Sequence, residues 1–244
     1  MYKAAVQGRV ALALVAGFAM IAVALALGLF AVADGIRDRG AGDTISVTGS
    51  AKRSISSDYL IWDASLSVQG ETTTAAAAQL ERWLEQTLAA LRASGIQDDE
   101  LTVAAISTET VRGKSGKLTG FRLTRSLQVR SSRIDVVVAA IEEDSSRLLA
   151  AGVPLSAGQP QYVYTKLAEL RPALSAEATK DALRRAEAIV EITGDELGGV
   201  RDVYSSPFQV TAPGSTEVED YGIYDTSTRE KEVTAVVNVT FAVK

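Results

Sequence analysis

From Val10 to Ala33 the chain carries no charged residue. At about 1.5 Å per residue a helix of this run is about 36 Å long, against a bilayer hydrocarbon core of about 30 Å. A secretory signal has an apolar core of roughly 7–15 residues, so the length predicts a retained transmembrane helix over 10–33. The opposing feature is Ala31-Val32-Ala33 before Asp34, the small-x-small form of a signal-peptidase site. The expected division is therefore a cytoplasmic tail at 1–9, a transmembrane helix (or signal peptide) at 10–33, a polar linker at 34–43 and an ectodomain at 44–244. Lys3 and Arg9 on one side balance Arg37 and Arg39 on the other. The free amino terminus and the compensating Asp34 and Asp38 favour a single-pass protein of the inner membrane with its C-terminal domain outside the cytoplasm.

Every one of the 30 acidic residues follows Ala33, with 23 of the 25 basic ones. An acidic domain is a poor partner for nucleic acid. With no cysteine and no histidine, the chain has no thiol nucleophile, imidazole base or Cys/His metal site. No catalytic residue, metal ligand or cofactor site is assigned, and the chain is expected not to be an enzyme.

Beyond the linker, "TISVTGS" alternates in period 2 and stops at Gly49, and "YLIWDASLSVQ" places Leu60, Trp62, Ala64, Leu66 and Val68 on one face. "TTTAAAAQLERWLEQTLAALRASG" changes to helical spacing, with Leu80, Trp83/Leu84, Leu88 and Leu91 in a stripe, a threonine cap and Gly95 as the stop. "ELTVAAISTETV" and "LTGFRLTRSLQVR" make two more strands around the turn "RGKSGK". Ser132 and Asp135 then resemble a capping box opening a helix that Gly152 and Pro154 close. After the strand "AGQPQYVYT", Pro172 suits a first helical turn, which separates "KLAELR" from the long helix pattern that follows. The last strand sets Val233, Ala235, Val237, Val239, Phe241 and Val243 on one face. The order β-β-α-β-β-α-β-α-β-β is an α+β fold, an antiparallel sheet with about three helices on one side.

Three stretches, "ISVTGSAKRSIS", "LRASGIQDDELTVAAIS" and "LTGFRLTRSLQVR", together with the strand and long Ala/Arg/Lys-rich helix between Tyr162 and Gly199, give the chain a collinear resemblance to the SIMPL-domain proteins of bacterial cell envelopes. The resemblance implies a periplasmic or envelope α+β protein that self-associates, in some relatives into rings or cages, without established enzyme activity. It also brings a link to oxidative stress in some members. Ser57-Asp58 stands where that family often has Pro-Asp, and "RGKSGK" replaces a Tyr-rich segment.

Few motifs hint at chemistry. "GKSGK" lacks the first glycine of a phosphate loop, because Thr108 occupies its place. Asp98, Asp99 and Glu100 point apart as three consecutive residues, a solvated turn rather than a cation site, and "EEDSS" at 142–146 reads as a solvated helix face. Neighbouring Ser50/Lys52 and Lys114/Ser115 share no direction that would make a dyad. "EVEDYGIYD" gathers Glu217, Glu219, Asp220, Tyr221, Tyr224 and Asp225. It is either a protein-contact surface, with tyrosines flanked by carboxylates, or a hairpin tip with its aromatics folded inward. The expected role is a membrane-anchored, oligomeric scaffold or interaction module of the cell envelope. Its partners would be the bilayer, further copies of itself and an envelope protein. The alternative is a monomeric periplasmic binding module for a small envelope ligand, with a role in stress.

Overall fold

A computed structural model describes residues 43–217 and 219–244. The expected transmembrane segment, the tail and nearly all of the linker lie outside the described residues. Among the described residues no helix is long and apolar enough to cross a membrane.

The fold is α+β. Its strands are β1 (Thr44–Ser56), β2 (Tyr59–Gly70), β3 (Leu101–Val103), β4 (Ser107–Arg112), β5 (Leu118–Ser131), β6 (Leu155–Ala157), β7 (Gln161–Val163), β8 (Leu197–Ser205), β9 (Gln209–Thr211) and β10 (Glu230–Val243). Its helices are α1 (Thr73–Ala93), α2 (Ile134–Ala150) and α3 (Leu167–Thr193). Among the described residues the strands form two sheets where one was expected. The first is ordered β3-β5-β2-β6, with β4 also on β5 and β7 also on β2; the second is ordered β1-β10-β8, with β9 also on β10.

The first sheet rests on the β2–β5 ladder, antiparallel from Leu60↔Ser131 to Gly70↔Phe121. Its register lines up Trp62 with Val129, Ala64 with Leu127 and Val68 with Leu123 on one face, and α1 and α2 cover that face. Burying a Leu or Phe side chain is worth about 1.5–3 kcal/mol, so this alternation fixes the register: a one-residue slip would turn the whole set to water. Trp62 is 1% exposed and its indole Nε1–H donates to the Gly158 carbonyl at 3.0 Å, which satisfies its one polar atom. The three α-helices of the described residues each end on a glycine with positive φ, Gly95, Gly152 and Gly194, where a side chain would be strained.

The chain divides into two compact units. One holds the described residues up to Thr48, Ala182–Tyr204 and Asn238–Lys244; the other holds Gly49–Asp181 and Ser205–Val237. In the smaller unit Ser46 Oγ meets Thr240 Oγ1 at 2.8 Å, and the backbones of Glu196 and Lys244 exchange hydrogen bonds of 2.9 and 3.0 Å. The larger unit contains the first sheet, α1, α2 and the start of α3. There Asp181 Oδ2 accepts the backbone N–H of Ser50 at 3.1 Å, and Arg53 pairs with Glu177, so β1 and α3 are tied side by side.

Several expectations need correction. β1 continues through Gly49 to Ser56, and Gly49 keeps an ordinary φ. "ELTVAAISTETV" is split into β3 and β4, and "AGQPQYVYT" into β6 and β7, because each short piece pairs with a different stretch of its long neighbour. Pro172 lies inside α3 without breaking it. A proline removes one i→i−4 hydrogen bond, and the turn ahead is held independently by the N–H groups of Glu169 and Leu170 on the Lys166 carbonyl. The helix also stops at Gly194, before the Gly198-Gly199 pair, which belongs to β8.

At α2 no capping box forms: its N-cap is Arg133, which has no side-chain cap bond. Instead Ser131 Oγ accepts the Arg133 N–H at 2.8 Å, and Glu100 holds both residues. Glu100 is thus turned inward, its side chain 11% exposed, whereas Asp98 turns outward to Arg92 at 2.7 Å. In "EEDSS", Asp144 is buried and pairs with Arg147, while Glu142 and Glu143 are exposed as expected.

Burial alone would raise the Glu100 carboxyl, but hydrogen bonds from Arg133, Ser131 and the Gln97 N–H, with the guanidinium charge, outweigh it and hold the pKa at about 2. A carboxyl depressed from 4.5 to about 2 stabilises the fold above its unfolded pKa, on the order of 3 kcal/mol. That contribution is lost as pH falls through this window. Glu100→Gln is expected to lower the unfolding free energy at neutral pH by a few kcal/mol, with the gap to wild type closing as pH drops toward about 2; urea titrations at several pH values measure it. Trp62→Ala is expected to cost about 3–5 kcal/mol by the same assay.

Candidate functional site: an aromatic loop and a bare strand edge

The connection between β9 and β10 carries the acidic, aromatic segment. Its shape is set by Gln209, a buried polar residue of β9. The Gln209 amide donates from Nε2 to the Glu219 carbonyl at 2.8 Å, and its Oε1 accepts the Ile223 N–H at 2.8 Å. Val210 adds two backbone bonds, its N–H to the Ile223 carbonyl at 2.8 Å and its carbonyl from the Asp225 N–H at 2.9 Å. Gly222 makes this approach possible: its φ is +86°, and a Cβ there would lie 2.9 Å from the Phe208 carbonyl oxygen.

Pinned in this way, the six residues singled out from the sequence separate. Tyr221 is 97% exposed, and Glu217, Glu219 and Asp220 are exposed beside it. Tyr224 is 41% exposed, but its hydroxyl is engaged, accepting from the Tyr164 N–H at 2.9 Å and donating to the Tyr164 carbonyl at 3.0 Å. Asp225 faces the loop itself and accepts the Ser227 N–H at 2.5 Å. Tyr221 thus points outward and Tyr224 is tethered.

Burial raises the Asp225 carboxyl, and the hydrogen bonds from Ser227 with the nearby Lys231 charge more than reverse this, so its pKa lies below the usual range. Lys231 is fully buried, donates to the Thr228 carbonyl at 2.5 Å and has a lowered pKa from burial, partly offset by Asp225. This lysine continues the inward period of β10 ahead of Val233. Sequence reasoning placed the inward face from Val233 onward, because a lysine at a strand start reads as solvent-facing.

A groove of about 420 Å³ runs along the loop, lined by Leu167, Arg171, Phe208, Tyr221, Ile223 and Tyr224 among others. The Arg171 guanidinium lies 5.7 Å from the Phe208 ring centroid, within cation–π range. The groove therefore joins apolar walls to one positive group, a surface that can accept an apolar or aromatic side chain.

The other proposed chemistries end in ordinary structure. "RGKSGK" is a hairpin turn closed by the Gly113 N–H on the Lys117 carbonyl at 2.9 Å. The Ser50 N–H is used by Asp181, and Lys52 reaches Glu232 at 3.4 Å.

Sequence reasoning missed a second surface. Among the described residues β8 is hydrogen-bonded on one side only, to β10, and every residue from Gly199 to Ser205 is exposed. Val200 and Tyr204 lie on one face of the strand and Val203 on the other, and all three are more than half exposed. The available signal was the apolar content of "GVRDVYSS" on both parities, in place of the one-face alternation of a half-buried strand.

No curated protein matches. Among solved structures the chain is similar to an amidase of the hydantoinase/carbamoylase family from Burkholderia phymatum, at 14% identity and a TM-score of 0.28, covering 56% of this chain and 35% of that one; so low a score carries no argument. The family profile "SIMPL: Protein of unknown function (DUF541)" matches residues 45–241. With the match running from the second residue of β1 nearly to the end of β10, the chain belongs to the SIMPL family.

Proposed function

We propose that this SIMPL domain is a non-enzymatic assembly module: a membrane-anchored, extracytoplasmic scaffold whose copies associate, displayed from the inner membrane by residues 10–33. The observation that carries the reading is β8. A nine-residue edge strand with an open ladder and exposed Val200, Val203 and Tyr204 offers main-chain hydrogen bonds and apolar side chains together, and such an edge pairs readily with another chain. Exposed Leu183, Ile189 and Ile192 of α3 belong to the same compact unit and add apolar surface for a neighbouring copy. The Tyr221 loop supplies a separate contact for an envelope protein, since an exposed tyrosine on a pinned loop contributes area at little entropic cost.

A second reading, a monomeric binding module for a small envelope ligand, is favoured by the groove of Phe208, Tyr221 and Arg171.

Mass photometry of the detergent-purified full chain at micromolar concentration is expected to show a multiple of the chain mass. Val203→Lys, which places a charge on the strand edge, is expected to reduce the species to a single chain with an unchanged melting temperature. A wild-type protein that is strictly monomeric overturns the assembly reading. If its melting temperature also rises with an envelope fraction at constant mass, and Phe208→Ala abolishes the rise, the binding-module reading replaces it.

A further inference from the structure

The groove beside the β9–β10 loop lies within the larger unit. Leu167 and Arg171, one turn apart at the start of α3, line it together with Phe208, Tyr221, Ile223 and Tyr224 from the segment around β9 and its loop. Three observations there bear on a ligand. The first concerns charge: Arg171 is the one formally charged residue among those lining the groove. In a chain with 30 acidic and 25 basic residues an arginine readily finds a carboxylate, and Arg125, Arg133, Arg147 and Arg229 of the same unit each do so. Arg171 has the Phe208 ring instead, its guanidinium 5.7 Å from the centroid. That contact engages the cation with the ring and uses none of the five guanidinium N–H donors. Among the described residues no carboxylate or carbonyl takes them, so they are open to an acceptor that a ligand brings.

The second observation is the material of the walls. Phe208, Tyr221 and Tyr224 are aromatic, Leu167 and Ile223 aliphatic, and Tyr221 leaves nearly its whole side chain for a ligand to cover. The third is that the groove is already formed. Gln209 and Val210 hold the loop backbone at Ile223, and the Tyr224 hydroxyl is fixed on the Tyr164 backbone. A ligand entering such a site orders little of the protein, which favours affinity. The nearest carboxylates do not fill the role of counter-ion: Glu219 and Asp220 are exposed and do not line the groove, and Asp225 is bound to Ser227.

We propose that the groove binds a small aromatic carboxylic acid as its monoanion. The carboxylate accepts N–H groups of the Arg171 guanidinium, a pairing matched in shape as well as charge. The ring of the ligand lies against Phe208, Tyr221 and Ile223, where offset or edge-to-face contacts with the aromatic walls add to the area covered. One negative charge suits the one cation; a more highly charged anion is opposed by Glu219 and Asp220 close by in the loop. The volume of about 420 Å³ falls in the range of small-molecule sites, roughly 300–1,000 Å³, and holds a ring with a short side chain rather than an extended peptide. This ligand class rests on the groove being a ligand site, as in the binding-module reading, and is independent of whether copies associate through β8.

The test uses the full chain in nanodiscs of zwitterionic lipid, with empty nanodiscs as the blank, and three probes of one shape: 3-phenylpropionate, 3-phenylpropanol and 3-phenylpropylamine. Ligand-observed saturation-transfer NMR at pH 7 gives the affinity of each. The acid is expected to bind saturably and at least tenfold more tightly than the alcohol, with the amine weakest. Arg171→Gln, at an exposed position, is expected to keep the melting temperature and to bring the acid down to the level of the alcohol. Phe208→Ala is expected to weaken acid and alcohol alike. Equal binding of acid and alcohol by wild type overturns the carboxylate assignment and leaves the groove as a ligand site. Unchanged acid affinity in Arg171→Gln overturns the location, and so does unchanged affinity for both probes in Phe208→Ala. Tightest binding of the amine, or no saturable binding of any probe, overturns the ligand class from wild-type data alone, whether or not the variants fold.

Discussion

The antiparallel pairing of β2 with β5 is the constraint on which the larger unit depends. It aligns eleven residue pairs from Leu60↔Ser131 to Gly70↔Phe121, and each neighbouring element takes its place from one of these two strands. β3 and β4 add to β5, β6 and β7 add to β2, and α1 and α2 fill the face on which Trp62, Leu66 and Leu127 are buried. Long-range ladders of this kind are slow to form, because the entropy of closing the loop between the strands is lost before any contact offsets it. Once formed, the ladder leaves little freedom. At one end Gly120 and Gly70 approach so closely that a Cβ on Gly120 would lie 2.5 Å from the Gly70 carbonyl oxygen.

Polar side chains at the far end of that ladder complete the frame. Ser131, opposite Leu60, accepts from Arg133 and donates to Glu100, so the last residue of β5 fixes both the short 3-10 turn Asp98–Glu100 and the N-cap residue of α2. The same arrangement leaves the helix start without a cap of its own. Exposed apolar surfaces lie where the regular pattern stops: the β9–β10 connection and the outer side of β8.

What was legible in the sequence follows from this division. Period-2 and period-3.6 spacing identified β2, β5, α1 and β10 nearly residue for residue, because burial on one face leaves a direct imprint on residue choice. The helix stops at Gly95 and Gly152 were legible because a positive φ selects glycine. Splits within strands were not, since "ELTVAAISTETV" shows no sign that β3 and β4 register separately on β5. Pro172 misled because its rigid ring is compatible with a helix interior when only one hydrogen bond is forgone. The two-sheet arrangement depends on contacts between β1, β8 and β10, strands distant in sequence, and no local pattern carries that information. For the site, the Tyr221 loop was identified, but the opposite fates of Tyr221 and Tyr224 are decided by Gln209 and Tyr164, and the inward turn of Asp144 and Lys231 by partners that composition does not name.

The uninterrupted α3 has a consequence for how the family can vary. Leu174, Ala178, Ala182, Ala186 and Val190 are buried at a constant spacing of four, three of them alanines, so the buried side of the helix follows a line of mostly small side chains. Each residue added or removed within it would rotate the remainder by about 100° and bring charged positions onto that line. The β9–β10 connection has no such periodic commitment beyond its anchors at Gln209 and Tyr224. Length differences among relatives should therefore accumulate in the loop around Tyr221, while α3 stays constant in length even where its exposed residues have diverged, so that the helix serves as a fixed ruler and the loop as the part free to acquire new contacts.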